Sequence, residues 1–170
     1  MYETTPKRTN KAASYTSAAM IFTAFAAMLF SGISWLPYRS LMQLAALVIL
    51  GFAILILVRY VLTVYVYAII PTDNGGYDLT VTEARRKSRI TVCRISLSGI
   101  ERARTEDAKD KKALSEKAKG YKVFNYCVDL APAEYYCIFA EECGEKILLK
   151  LTCDEGFIDV ISRLTSGKEN

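Results

Sequence analysis

Residues 41–70, LMQLAALVILGFAILILVRYVLTVYVYAII, contain the transition that decides the fold. Up to Val58 this stretch has no charged residue, and Gln43 is its one polar side chain. From Leu62 onward, β-branched and aromatic residues alternate, which is the pattern of a strand. The sequence therefore predicts a long apolar helix that leads almost directly into a first strand, at about 62–69.

A second charge-free run, from Ala12 to Leu36, precedes this stretch, and only Arg39 separates the two runs. At about 1.5 Å per residue the runs give about 37 and 28 Å of helix, close to the roughly 30 Å of a bilayer core. A signal peptide is the alternative for the first run, but its apolar core is usually only about 7–15 residues. We therefore predict a transmembrane hairpin over 17–60, with spans at about 14–36 and 40–60.

The orientation of this hairpin follows from the basic residues that flank it. Lys7, Arg8 and Lys11 precede the first run and Arg59 follows the second, whereas the loop between them has only Arg39. Because cytoplasmic flanks are enriched in lysine and arginine, both termini are predicted to be cytoplasmic. The predicted location is the cell (inner or plasma) membrane, crossed twice, with the bilayer as a partner. Residues 1–16 are assigned to a cytoplasmic tail.

Small side chains recur every four residues along the first predicted span. They are Ala19, Thr23, Ala27 and Ser31. A stripe of this kind lets two helices approach closely in a membrane. We expect the second span to pack against it.

Residues 61–166 alternate between short strand patterns and turn signals. Asp73–Gly76 is a strong turn, and Glu83–Ser88 is a reversal that follows an alternating strand. The alternation slips after Val92, which we interpret as a turn at Arg94–Gly99 and a new strand from Ile100. Further strands are expected at 121–130, 134–140 and 146–151, for a total of about seven, antiparallel because their turns are short.

Two segments of this region differ from the strands. Residues 105–120 have few apolar side chains and are interpreted as a charged loop or a short surface helix. Near the end, Phe157, Ile158, Ile161 and Leu164 have helical spacing, which predicts one amphipathic helix of about ten to twelve residues. The helix would close the open end of a curled sheet. Residues 167–170 are a short tail.

Composition excludes several function classes. The chain has no histidine, no glycine-rich phosphate loop and no CxxC pair among its five cysteines, so no enzyme, cofactor or zinc site is predicted. The cysteines are expected to be small buried apolar residues. Residues 71–170 hold 17 basic and 17 acidic side chains, so no nucleic-acid partner is predicted. No small-molecule substrate is predicted either.

The order of elements resembles that of bacterial pleckstrin-homology-like (PH-like) domains attached to a pair of membrane helices. The likeness rests on Tyr77–Thr80, on Ile95–Glu101 and on the final strand and helix from Ile147 to Leu164. It covers roughly 62–166. The resemblance implies an α+β membrane protein in which the hairpin is followed by a small antiparallel PH-like β-barrel or sandwich capped by a C-terminal helix. It implies a non-enzymatic domain and does not imply inositol-phosphate binding.

One cluster of charges is a candidate for contact with lipid or with a protein partner: Arg85, Arg86, Lys87 and Arg89. An exposed basic turn near a bilayer would be attracted to anionic headgroups. A charged turn that keeps a strand edge soluble is the alternative, and the sequence does not say which end of the domain faces the membrane. Two functions stay open: an interaction module for a protein partner, its own copies or anionic lipid, and an accessory or regulatory subunit of a larger membrane transporter or enzyme.

Overall fold

The computed structural model describes residues 2–33, 38–85, 88–107, 114 and 116–166. Two compact units are present. The helical unit is Asn10–Thr63, and the β unit combines Met1–Thr9 with Val64–Asn170. The helical unit is thus an insertion into the β unit, placed between its first and second strands.

The helical unit has two helices, α1 (Ala12–Ser31) and α2 (Arg39–Leu57), and α2 ends in a π-helical turn, Val58–Leu62. Both helices are long and apolar enough to cross a membrane. Their large apolar side chains are mostly exposed, for example Phe22 and Leu41. The core helix of a water-soluble protein buries such side chains, so this exposure is what a lipid-facing helix requires.

The buried side chains of α1 and α2 are all small. They are Ala13, Ser17, Ala24 and Ser31 in α1, with Ala46 and Ala53 in α2. Only Ser31 belongs to the stripe predicted from the sequence. The buried residues of α1 recur at intervals of four and seven, so the packed face is rotated away from Ala19, Thr23 and Ala27.

The first sheet contains four antiparallel strands in chain order: β1 (Tyr2–Thr4), β2 (Val64–Pro71), β3 (Tyr77–Arg85) and β4 (Ser88–Ser96). The predicted first strand is observed, shifted by two residues. The strand Tyr2–Thr4 lies in the segment assigned to a tail by the sequence, because three residues are too few to show an alternating pattern. It pairs with β2, with Glu3 opposite Ala68, and so covers the edge of the sheet that β2 would otherwise expose.

A β-bulge explains the slip in alternation after Val92. The register of β3 and β4 shifts between Val81, opposite Cys93, and Thr82, opposite Thr91, so Val92 is the extra residue. The predicted turn at Arg94–Gly99 was wrong in position, since β4 continues to Ser96. A single turn of 3-10 helix, Leu97–Gly99, then connects the two sheets.

The second sheet has the order β5-β7-β8-β6. Its strands are β5 (Ile100–Asp107), β6 (Lys122–Asn125), β7 (Glu134–Glu142) and β8 (Glu145–Leu151). The prediction of a wholly antiparallel arrangement was wrong, because β6 runs parallel to β8. A parallel pair needs a long connection, and the loop after β6 together with the antiparallel strand β7 supplies it. Of the predicted charged loop, residues 108–113 and 115 lie outside the described residues, and Leu114 is buried.

Both sheets contribute to one core. Tyr67, Leu79 and Ile95 from the first sheet lie in one cluster with Ile138 and Leu149 from the second. The predicted C-terminal helix is confirmed as α3 (Glu155–Ser166), which adds Phe157 and Ile161 to this core. The described strands form two sheets and no closed barrel, which corrects the barrel form of the prediction.

Candidate functional site

The basic hairpin, Arg85–Arg89, joins β3 to β4. Arg85 lies opposite Ser88 and Ala84 lies opposite Arg89, so two residues remain for the connection. These are Arg86 and Lys87, which lie outside the described residues. Of the four predicted contact residues, the structure therefore positions two, Arg85 and Arg89, both with exposed side chains.

The strand register identifies the end of the sheet at which the basic hairpin lies. Val64 is the first residue of β2, directly after Thr63 at the end of the helical unit, and it lies opposite Ala84. The basic hairpin therefore lies at the end of the first sheet where the chain enters from the helical unit. The sequence left this point open, because the direction of β3 depends on the register with β2.

The turn Thr72–Gly76 marks the opposite end of the same sheet. The Thr72 N–H donates to the Gly76 carbonyl at 2.8 Å, and Gly75 has a φ of 77°, which glycine adopts without strain. The eight-residue strand β2 separates this turn from the hairpin, which at about 3.3 Å per residue is roughly 23 Å. The turn contains Asp73 and no basic residue, so the two ends of the sheet differ in charge.

The two described arginines of the basic hairpin have different electrostatic partners. Arg85 forms an ion pair with Glu83, two residues earlier on the same face of β3. Arg89 has no ion pair among the described residues. Arg94, farther along β4, is held by Asp78 at 2.7 Å, from Nε to Oδ2. Among the described residues of β4, Arg89 is therefore the arginine without an ion pair, and it lies next to the tip of the basic hairpin.

Apolar side chains are exposed beside these cations. Ile90 is 62% exposed and Val92 is 37% exposed, although the sequence pattern indicated that both continue an alternating, half-buried strand. They are exposed because β4 is the edge of the sheet and its first half extends past the core. Tyr126 lies next to this part of β4. Its hydroxyl donates to the Val92 carbonyl at 3.4 Å, and its ring meets the Tyr65 ring edge-on.

The five cysteines are free thiols with different surroundings. Cys127 and Cys137 are buried, as predicted, whereas Cys143 is exposed in the β7–β8 turn. Burial raises the pKa of the Cys127 thiol, and burial together with the nearby Asp154 raises the pKa of Cys153 to about 12. Neutral buried thiols are poor nucleophiles, so these two cysteines fit a packing role.

In the described part of the chain, no group of three or more histidine, cysteine, aspartate or glutamate side chains is placed to bind a metal ion. The Glu142 carboxylate accepts the Ser96 N–H at 3.3 Å, where the two sheets meet, so this acidic side chain has a structural role. Comparison with protein-family models, with curated proteins and with solved structures found no match. Of the described features, the basic hairpin has the clearest chemistry, since it combines an unpaired arginine with exposed apolar side chains.

Proposed function

We propose that the protein is a membrane-anchored, non-enzymatic interaction module whose basic hairpin contacts anionic lipid headgroups. The helical unit would span the cell membrane as a hairpin, with both chain ends on the cytoplasmic side. The observation that supports the proposal is the register of Val64 with Ala84, which places the hairpin at the end of the sheet next to the membrane anchor in the chain.

The tether between anchor and sheet is short. Residues 58–63 separate the last residue of α2 from β2, and six residues reach at most about 22 Å when fully extended. Five of them form a π-helical turn, which shortens this reach. If the helical unit spans the membrane as proposed, this short connection limits how far the hairpin end of the sheet can lie from the bilayer.

Strand pairing supports the proposed topology. Tyr2–Thr4 precede the helical unit, β2 follows it, and the two are hydrogen-bonded in one sheet. The two ends of the helical unit must then open into the same compartment, as a two-span hairpin requires. The excess of Lys7, Arg8 and Lys11 over the single Arg39 of the loop points to the cytoplasm.

Headgroup contact would use both charge and apolar surface. Each lysine or arginine near an anionic leaflet contributes about 1 kcal/mol. Arg89 offers a charge without an ion pair among the described residues, and Ile90 beside it offers an exposed apolar side chain. A cation next to an apolar side chain is the combination that interfacial segments present to headgroups and upper acyl chains.

We also propose that the β unit is PH-like. Two four-stranded sheets that share a core, followed by a C-terminal helix that packs into it, support this assignment. The parallel pair of β6 and β8 and the strand contributed by Tyr2–Thr4 depart from the expected pattern. The lipid proposal does not depend on this assignment, because it rests on the register of β2 and β3.

The alternative function, an accessory or regulatory subunit of a larger membrane complex, has one feature in its favour. An apolar groove of about 320 Å³ lies along the helical unit, lined by residues that include Phe25, Met28, Leu47 and Leu50. A partner helix would fit such a groove, but acyl chains fill it equally well. We therefore place the lipid proposal first.

A tryptophan reporter tests the proposal in the intact protein. The sequence has one tryptophan, Trp35, so Trp35→Phe combined with Ser88→Trp gives a single reporter at the hairpin. In bilayers with anionic lipid, brominated lipids should quench this reporter and its emission should shift to shorter wavelength. Asn74→Trp, in the turn at the far end of the sheet, is the control and should be quenched little. Equal quenching at positions 74 and 88 would refute the proposal.

A further inference from the structure

A cleft of about 570 Å³ lies on the outer face of the second sheet. Its floor includes Val123 and Asn125 of β6 and Lys150 of β8, and the loop from Leu130 to Pro132 forms part of its rim. The cleft adjoins a second apolar cluster, which contains Cys137, Phe139 and Leu148 on the face of the sheet turned away from the shared core. Sites for small molecules in proteins have volumes of about 300–1,000 Å³ and mostly apolar walls, so this cleft has suitable size and lining.

Lys150 supplies the charge in this cleft. It follows Leu148 on the same face of β8, so a half-buried lysine stands where the strand pattern places an apolar side chain. The Nζ atom lies 5.3 Å from the centre of the Tyr135 ring, which also lines the cleft. No carboxylate forms an ion pair with Lys150 within the described residues.

Other lysines of the second sheet have different surroundings. Lys122, at the start of β6, is exposed and reaches Glu145 at 3.5 Å. Lys146, on the same face of β8 as Lys150, is exposed and lies over the Tyr121 ring outside the cleft. Of these three lysines, Lys150 is the one that lines the cleft, and no carboxylate of the described residues pairs with it. Removing a charge from water is costly unless an opposite charge is supplied.

A polar side chain is fixed beside this cation. Asn125 is the register partner of Lys150 in the parallel pair, and its Oδ1 accepts the backbone N–H of Cys127 at 3.0 Å. That hydrogen bond sets the orientation of the amide. The Lys150 ammonium group and the Tyr135 ring line one end of the cleft, a combination suited to a carboxylate attached to an apolar body.

We propose that this cleft binds a small organic carboxylate with an apolar body, with Lys150 as its counter-charge. The buried carboxylate of Asp129 accepts the N–H and the hydroxyl of Thr9 at 3.2 and 2.6 Å, so this acidic group already has partners of its own. This site is independent of the basic hairpin, and its ligand enters from water. It modifies the expectation from the sequence that no small molecule is bound.

The test uses full-length protein in nanodiscs and the water-soluble probe 2-naphthoate, with binding measured by saturation-transfer NMR against empty nanodiscs. Lys150→Met keeps most of the side-chain volume and should weaken naphthoate binding about tenfold. The neutral analogue 2-naphthalenemethanol should bind the wild type about tenfold more weakly than naphthoate and should not respond to Lys150→Met. Lys146→Met removes a charge from the same face of β8 outside the cleft and should leave both probes unchanged.

A second variant tests whether the probes bind in the cleft. Ala131→Trp at the rim fills the cleft and should abolish binding of both probes, with the near-ultraviolet circular dichroism checked to exclude unfolding. The proposal is overturned if naphthoate binds the wild type no better than it binds empty nanodiscs. It is equally overturned if Lys150→Met and Lys146→Met reduce naphthoate binding to the same extent.

Discussion

Val64, the first residue of β2, lies directly opposite Ala84, which precedes the basic hairpin at the end of β3. Because Val64 is also the first residue after the helical unit, this pairing places the basic hairpin at the end of the first sheet where the chain leaves the helical unit.

The β unit should fold without its helical insertion. We expect replacement of Asn10–Thr63 by a flexible linker of about ten glycine and serine residues to give a monomeric, water-soluble domain, because both parts of the β unit are retained. A fragment of residues 71–170 should fail to fold, since it lacks Tyr65, Tyr67 and Ile69 of the shared core. Far- and near-ultraviolet circular dichroism of the two proteins checks this. A folded 71–170 fragment would contradict the role assigned to β2.

Charge reversal at the basic hairpin should reduce membrane contact. In the linker-closed domain, Arg85→Glu with Arg89→Glu should lower the affinity for liposomes with 30% anionic lipid at least tenfold, because two attractive charges become repulsive. The measurement is co-sedimentation at 50 mM salt. Lys122→Glu with Lys146→Glu changes the net charge equally on the second sheet and should have a much smaller effect. Equal losses for both pairs would indicate a nonspecific dependence on net charge.

The hydrogen bonds from Thr9 to Asp129 should stabilise the β unit. They join residues 120 positions apart, and Asp129 is almost fully buried. Thr9→Val removes the hydroxyl donor to a buried carboxylate and should lower the free energy of unfolding by about 1.5–3 kcal/mol. Urea denaturation measures the change. Thr5→Val, at an exposed position of the same segment, should cost much less, and a similar loss for both variants would argue against a specific bond.

Gly99 should tolerate no side chain. A Cβ atom at Gly99 would overlap the carbonyl oxygen of Glu141, a backbone atom that side-chain rotation does not relieve. Gly99→Ala is therefore expected to lower the free energy of unfolding by about 1–3 kcal/mol. Gly76→Ala is the matched control, because an added Cβ there meets nothing within 4 Å. Comparable thermal midpoints for the two variants would contradict the close approach at the junction of the sheets.

Alkaline pH should destabilise the β unit through its buried thiols. Burial raises the pKa of Cys153 from 9.0 to about 12, so the unfolded chain loses this proton first as the pH rises. The stabilising contribution is complete below pH 9 and decreases between pH 9 and 12, by at most about 1.4 kcal/mol per pH unit. Urea midpoints at pH 8 and 10 test this, and Cys153→Ala should show a smaller fall. An identical fall in the variant would assign the effect to other groups.

The parts of the fold that the sequence predicted are those in which one face of an element is repeatedly apolar. The two apolar helices, the turn at Asp73–Gly76 and the C-terminal helix with Phe157 and Ile161 follow from composition and period. Tyr2–Thr4 was missed because a three-residue strand has no period. The parallel β6 was missed because strand direction depends on the crossover path, which the alternation of Phe124 and its neighbours does not encode.

The basic hairpin and the cleft beside Lys150 also differ in how far the sequence predicted them. The composition of the basic hairpin was evident from the sequence, but its position required the register of Val64 and Ala84. The cleft beside Lys150 had no sequence signal, because a lysine after Leu148 on an outer strand face is ordinarily solvated. Its half-buried position results from segments distant in the chain, such as Leu130–Pro132, that form the cleft.

The insertion of the helical unit between β1 and β2 sets an order of events during synthesis. Tyr2–Thr4 leave the ribosome about sixty residues before their partner strand, and both greasy helices emerge in between. The amino-terminal strand therefore stays unpaired until the helical unit has been synthesised. In the proposed two-span topology, Tyr2–Thr4 and β2 have to lie on the same side of the membrane before the first sheet can form, so correct insertion would precede folding of the β unit.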